Sequence, residues 1–251
     1  MSLELGLTLA ASIVGLTVGL TGVGGGAIMT PALILLFGIP PAVAIATDLL
    51  FATVTKLVAG AAHIRQRSVN WGVARELWKG SIPGALLGTA ILVLLHALAR
   101  DILSLALVVV LLFSSFSMMR PAIASPPRLS QRGGTIGGGL IGFSVATTSV
   151  GGGALGMVLL RSRLGDKNPR VLVGTDIVHA IPITLIATFG YTAAGLVDFN
   201  LLSNLLFGSI PGVIAGAYLS RSIGSSLLRR IVGAVIGLAA LTVLAKTLGL
   251  V

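Results

Sequence analysis

The amino-acid sequence predicts an all-α, polytopic integral membrane protein with two inverted-topology repeats and helices broken at glycine-rich motifs. Three observations carry that prediction. Of the 251 residues, 55% are apolar and 10% charged, with a mean hydropathy of +1.05, whereas a soluble domain carries about 25% charged residues. The apolar residues fill windows of about 20, as a hydrocarbon core of ~30 Å demands. One glycine-rich break occurs twice, as Thr21-Gly22-Val23-Gly24-Gly25-Gly26 and Thr148-Ser149-Val150-Gly151-Gly152-Gly153.

Glycine costs about 1 kcal/mol against alanine in a helix interior. Three in a row therefore end one helix and let another begin. In lipid such a break persists only where its freed backbone groups face protein or a watery cavity. Both copies read as walls of one site.

Taken in order, the first unit (residues 5–119) has apolar segments at 5–21, 26–38, 41–63, 72–96 and 101–119. A proline- and arginine-bearing cytoplasmic linker (residues 120–134) follows, with Pro121, Pro126, Pro127, Arg128 and Arg132. The second unit (residues 135–249) has segments at 135–149, 153–164, 169–194, 199–219 and 229–249. The segments beside each triple glycine are short. Two short helices and a re-entrant hairpin both fit them.

The halves align along most of their length. Gly24 matches Gly151 and, after one inserted residue, Thr47-Asp48 matches Thr175-Asp176. In the same register Val69-Asn70-Trp71 matches Val197-Asp198-Phe199, and Gly80-Ser81-Ile82-Pro83-Gly84 recurs as Gly208-Ser209-Ile210-Pro211-Gly212. The chain reads as an internal duplication.

Basic residues in short loops set orientation. They cluster at Arg65, Arg67, Arg75 and Lys79; at Arg120, Arg128 and Arg132; at Arg161, Arg163, Lys167 and Arg170; and at Arg221, Arg229 and Arg230. With all four clusters cytoplasmic, only Arg100 and Lys246 face outward, and Lys56 lies within the membrane. Each unit then crosses an odd number of times, so the repeats are inverted, a common build of secondary transporters.

A helix opening after Gly26, and its twin after Gly153, would offer free N–H groups and a positive dipole end to an anion. Thr21, Thr148 and Ser149 can add hydroxyls, and Gly24, Gly25, Gly151 and Gly152 let a ligand reach the backbone. Asp48 and Asp176 are acidic residues well inside spans, where an ionisable group is a functional candidate by default. They are read either as ion or proton carriers or as scaffold acceptors. Lys56 follows Asp48 by about two turns on one face and is a candidate cation for the substrate; Thr184 is its twin. His179, one turn beyond Asp176, is a candidate proton relay or a structural partner. The Gly-Ser-Ile-Pro-Gly prolines suit kinks. Gly84/Gly88, Gly212/Gly216 and the series Gly134, Gly138, Gly142 have the spacing of close helix contacts. Ser81 and Ser209 could line the cavity.

Other classes lack residues to support them. There are no cysteines, so neither a disulfide framework nor a thiolate metal site is expected. His63, His96 and His179 are too scattered for zinc, and no cofactor is expected. The net charge of +10 lies in loops rather than in a nucleic-acid stripe. No strand precedes the glycines, which excludes a dinucleotide site. No catalytic constellation points to an enzyme. The first apolar run lacks a signal peptide's basic start and is expected to be retained.

The run Gly-Val-Gly-Gly-Gly-Ala-Ile-Met-Thr-Pro-Ala-Leu at 22–33 resembles the signature of the TauE/SafE family. Ala46-Thr47-Asp48, the loop ending in Val69-Asn70-Trp71 and the Gly-Ser-Ile-Pro-Gly motif strengthen the likeness. That resemblance implies a multi-pass transporter in the cytoplasmic membrane for sulfite, organosulfonates or related small sulfur oxyanions, often outward. The second copy departs from the pattern: Val158 stands where Pro31 would align, so binding and gating could divide between the copies. The partners expected are a small anion and the bilayer, with a homodimer left open. An anion channel of similar build, or a transporter for another small anion, is the rival reading.

Overall fold

A computed structural model describes residues 5–21, 26–95, 100–119, 128–165, 169–219 and 225–249; some side chains beside the gaps lie outside that description. Among the described residues the chain is all helix. The first half holds α1 (Leu5–Thr21), α2 (Gly26–Leu36), α3 (Pro41–Arg65), α4 (Trp71–Leu95) and α5 (Arg100–Met119). The second holds α6 (Gln131–Thr148), α7 (Ala154–Leu164), α8 (Pro169–Ala193), α9 (Phe199–Leu219) and α10 (Ser225–Thr247). Five helices contain stretches long and apolar enough to cross a membrane, in α3, α4, α5, α8 and α10. Large apolar side chains such as Val58, Leu94, Phe189 and Leu238 point outward, as a lipid-facing surface requires. This is a polytopic membrane protein.

α2 and α7 each have 11 residues, so each is about 16 Å long. Alone, neither crosses a ~30 Å core. Each instead turns back beside the helix before it. The Leu129 N–H, just ahead of α6, donates to the Ser162 carbonyl near the end of α7 at 3.1 Å. Gly6 of α1 lies against the Phe37 ring, just past α2. The broken segments are therefore hairpins with their bases together, the second turning at Gly151. α3 starts next to the base of the first hairpin. Its far end meets the start of α8, where Gly174 packs on His63 and Ser68. With 25 residues, α3 is about 37 Å long, so the two hairpin bases sit at opposite ends of the molecule.

Each hairpin is clasped by the other half. Gly15 of α1 rests on the Ser209 carbonyl of α9, and Gly142 of α6 rests on the Ser81 carbonyl of α4. The Gly-Ser-Ile-Pro-Gly stretches are thus crossing points, where missing side chains let backbones touch. Other contacts are twinned too. Thr47 Oγ1 accepts the Asp198 N–H at 3.0 Å, and Thr175 Oγ1 accepts the Asn70 N–H at 2.9 Å. Asn70 and Asp198 in turn cap α4 and α9, accepting from the N–H groups of Val73 (3.1 Å) and Leu201 (2.9 Å). The apolar interior follows this clasp. One core joins α1 and α2 to α5, α9 and α10 through Leu7, Met29, Leu111, Leu205 and Ile236. The other joins α6 and α7 to α3, α4 and α8 through Val145, Leu160, Leu49, Leu77 and Ile183.

α6 opens at Gln131, inside the stretch read as linker. Ser130 caps it by accepting the Gly133 N–H at 3.2 Å.

Candidate functional site

The tips of the two hairpins meet in the interior. Gly26, the first residue of α2, packs so closely on Ser149 that a Cβ there would collide with its carbonyl and hydroxyl. Ser149 closes α6 in the left-handed region, at φ 60°, a conformation that costs a non-glycine residue about 1–2 kcal/mol. Two bonds hold it there: its N–H donates to the Val145 carbonyl at 2.8 Å, and its Oγ donates to Asp48 at 2.6 Å. Gly151, at φ 119°, then reverses the chain, and Gly153 opens α7 with no side-chain cap. Among the described residues, nothing accepts the N–H groups of Gly152 or Gly153. These are the free donors expected at a helix start.

Between the tips lies a cavity of about 20 Å³, room for one water molecule. Gly26, Ser149, Gly151, Gly152 and Gly153 form its walls with Lys56, Ser114 and Thr184, over an apolar floor that includes Leu49 and Ala52. Lys56 Nζ takes no hydrogen-bond partner among the described residues, and it lies within electrostatic reach of Asp48 and Asp176. Ser114 is fully buried and its hydroxyl has no partner. A cation, a hydroxyl and backbone N–H groups converge on one space.

The two carboxylates stand behind it. Asp48 is fully buried; its Oδ2 accepts from Thr30 Oγ1 at 2.7 Å and from Ser149 Oγ, while Oδ1 has no partner. It therefore ties α3 to both tips at once. Asp176 Oδ1 is buried and unpartnered, facing Gly156 of α7, where a Cβ would strike it.

Other candidates lie elsewhere. Thr148 donates to the Ser144 carbonyl at 2.7 Å and accepts the Val150 N–H, so its hydroxyl serves the turn rather than the cavity. The His179 ring pairs with Ser81 Oγ at 3.0 Å, and its carbonyl accepts from Trp78 Nε1. That pairing locks α8 to α4. Ser81 is thereby spent on His179 rather than lining the cavity, and Ser209 is buried without a partner, also away from it. Gly24, Gly25 and the side chain of Thr21 lie outside the described residues.

Sequence reasoning did not find Ser114, Thr30 or the bidentate ion pair of Arg163 with buried Glu76, at 2.7 and 2.6 Å. Only the twinning of Thr184 with Lys56 signalled that residue. Ser114 carries no motif and no twin break to mark it.

Spans enclosing two broken-helix tips, with a half-buried cation at their junction, are the build of a membrane transporter of the broken-helix kind. Among the described residues no cluster could hold a metal ion. The family follows from the sequence: the model described as "Sulfite exporter TauE/SafE" matches residues 7–243, and the chain belongs to that family. It is 37% identical over 232 residues to "Probable membrane transporter protein YjnA" of Bacillus subtilis (strain 168), covering 87% of this chain and 91% of the relative. It is 31% identical over 217 residues to "Probable membrane transporter protein YtnM" of the same organism, covering 82% and 71%. No solved structure matches it.

Proposed function

We propose that this transporter moves a small sulfur oxyanion, sulfite or an organosulfonate, out across the cytoplasmic membrane by alternating access, with Asp48 and Asp176 coupling protons. One observation carries the anion assignment: the unpartnered Lys56 ammonium shares a cavity with the free N–H groups of Gly152 and Gly153 and the unpaired Ser114 hydroxyl. Donors without acceptors are costly in an apolar interior, and an oxyanion satisfies all of them.

The two units are inverted on this reading. Reciprocal contacts between aligned residues, and hairpin bases at opposite ends of α3, are what a two-fold axis lying in the membrane plane would produce. The cavity of about 20 Å³ corresponds to a closed state. Substrate enters when the tips part, which breaks the Ser149–Asp48 bond. A proton arriving on either carboxylate, or an anion arriving beside Lys56, changes the charge balance that holds them together.

Sulfite flux into proteoliposomes tests this, comparing wild type with Asp48→Asn and Asp176→Asn. Saturable flux driven by a proton gradient, and uncoupled from it in at least one variant, is the expected result. Gradient-independent flux that persists in both variants would reduce the aspartates to scaffold and make the protein a channel.

A further inference from the structure

A second cavity, unrelated to the anion site in chemistry, runs along the outside of the first hairpin. It is a groove of about 680 Å³ between α1, α2 and α10, with walls that include Ile13, Ile28, Leu238 and Ala239. Its one charged lining residue is Lys246, in the last turn of α10. A separate cleft of about 310 Å³ also includes Lys246, together with Ser104 and Thr247. The two spaces therefore meet at one ammonium, apolar on one side and polar on the other. Lys246 spends one N–H on the Ile34 carbonyl at 3.3 Å, which draws it over the end of α2 and leaves two N–H donors.

Depth fits the same division. The groove follows the apolar length of α10, whereas Lys246 marks the end of that span. Lysines at span ends sit at the membrane interface. The ligand chemistry is then set: a hydrocarbon chain along the groove and an anionic head at Lys246. Phosphate-headed lipids meet both requirements, a hydrocarbon chain and an anionic head for one interfacial ammonium.

We propose that the groove and cleft form a binding site for one anionic phospholipid, its acyl chain between α1, α2 and α10 and its phosphate on Lys246. Ala27, in the first turn of α2, lines both this groove and the anion cavity. A bound chain thus backs the helix that carries Gly26, and lipid occupancy biases whether the tips stay closed.

Native mass spectrometry of the full-length protein, titrated with phosphatidylglycerol or phosphatidylcholine, tests the site. Wild type is expected to retain one phosphatidylglycerol in preference to phosphatidylcholine, and Lys246→Ala to lower that preference about fivefold, the weight of one interfacial charge. Ala239→Trp, which fills the groove, is expected to lose tight retention of both lipids, with melting temperature as the folding check. Unchanged retention in both variants would overturn the proposal. So would displacement of the lipid by inorganic phosphate alone, or a dimer mass that replaces bound lipid.

Discussion

Asp48 and Asp176 occupy the same place in the two halves, yet they do different work. Asp48 collects two hydroxyl donors, one from α2 and one from the opposite hairpin, and so joins the tips. Asp176 takes no hydrogen bond among the described residues, and its buried Oδ1 faces a glycine. The local sequence at both is Thr-Asp on a long helix. What differs is what the neighbouring hairpins offer: Thr30 of α2 and Ser149 of the opposite hairpin at Asp48, bare Gly156 of α7 at Asp176. A duplication copies residues, but neighbours decide roles.

The comparison breaks most violently at the contact between the tips. Gly26→Ala drives a methyl group into Ser149 and is expected to abolish sulfite flux, at least 100-fold, and to lower the melting temperature. Gly152→Ala is its counterpart: the nearest atoms to an added Cβ, Lys56 Nζ and Val145 Cγ2, lie 3.8 Å away. That variant should keep its melting temperature yet bind sulfite more weakly, because the methyl occupies the anion's space. Equal flux in the two variants would remove the tip contact from the account.

Truncating the aspartates separates brace from charge partner. Asp48→Ala strips an acceptor from two hydroxyls, at a cost of about 3 kcal/mol, whereas Asp176→Ala removes no hydrogen bond among the described residues and should destabilise less. Chemical denaturation of both in one detergent checks the order. Equal losses would mean that the hydroxyl bonds contribute nothing.

The smallest effect is also the most symmetric. Thr47→Val and Thr175→Val each free one backbone N–H, of Asp198 and Asn70 respectively, and each should cost about 1–2 kcal/mol. Matching losses support the twinned architecture; a large inequality would count against it.

Much of this was legible in the chain. Glycine runs and apolar lengths marked the helix ends because both signals are local; every segment except α6 and α10 begins within a residue or so of its predicted start. The twinned motifs resolve into caps at Asn70 and Asp198 and crossings at Ser81 and Ser209, roles that need only local chemistry and close approach. Partners far apart in sequence were not legible. Ser149 reaches Asp48 and Arg163 reaches Glu76 only because the hairpins fold back. Ser114 matters only because the surroundings leave its hydroxyl unpaired. His179 was read beside Asp176 by helical spacing, but α4 brings Ser81 to its ring instead.

The most direct measurement is sulfite binding to purified Lys56→Met protein against wild type, with melting temperature as the control. Lys56 holds no hydrogen bond among the described residues, so its loss should leave the fold standing while saturable binding weakens at least 100-fold. Wild-type affinity in that variant would contradict the account: the cavity between the tips would not be where the anion binds.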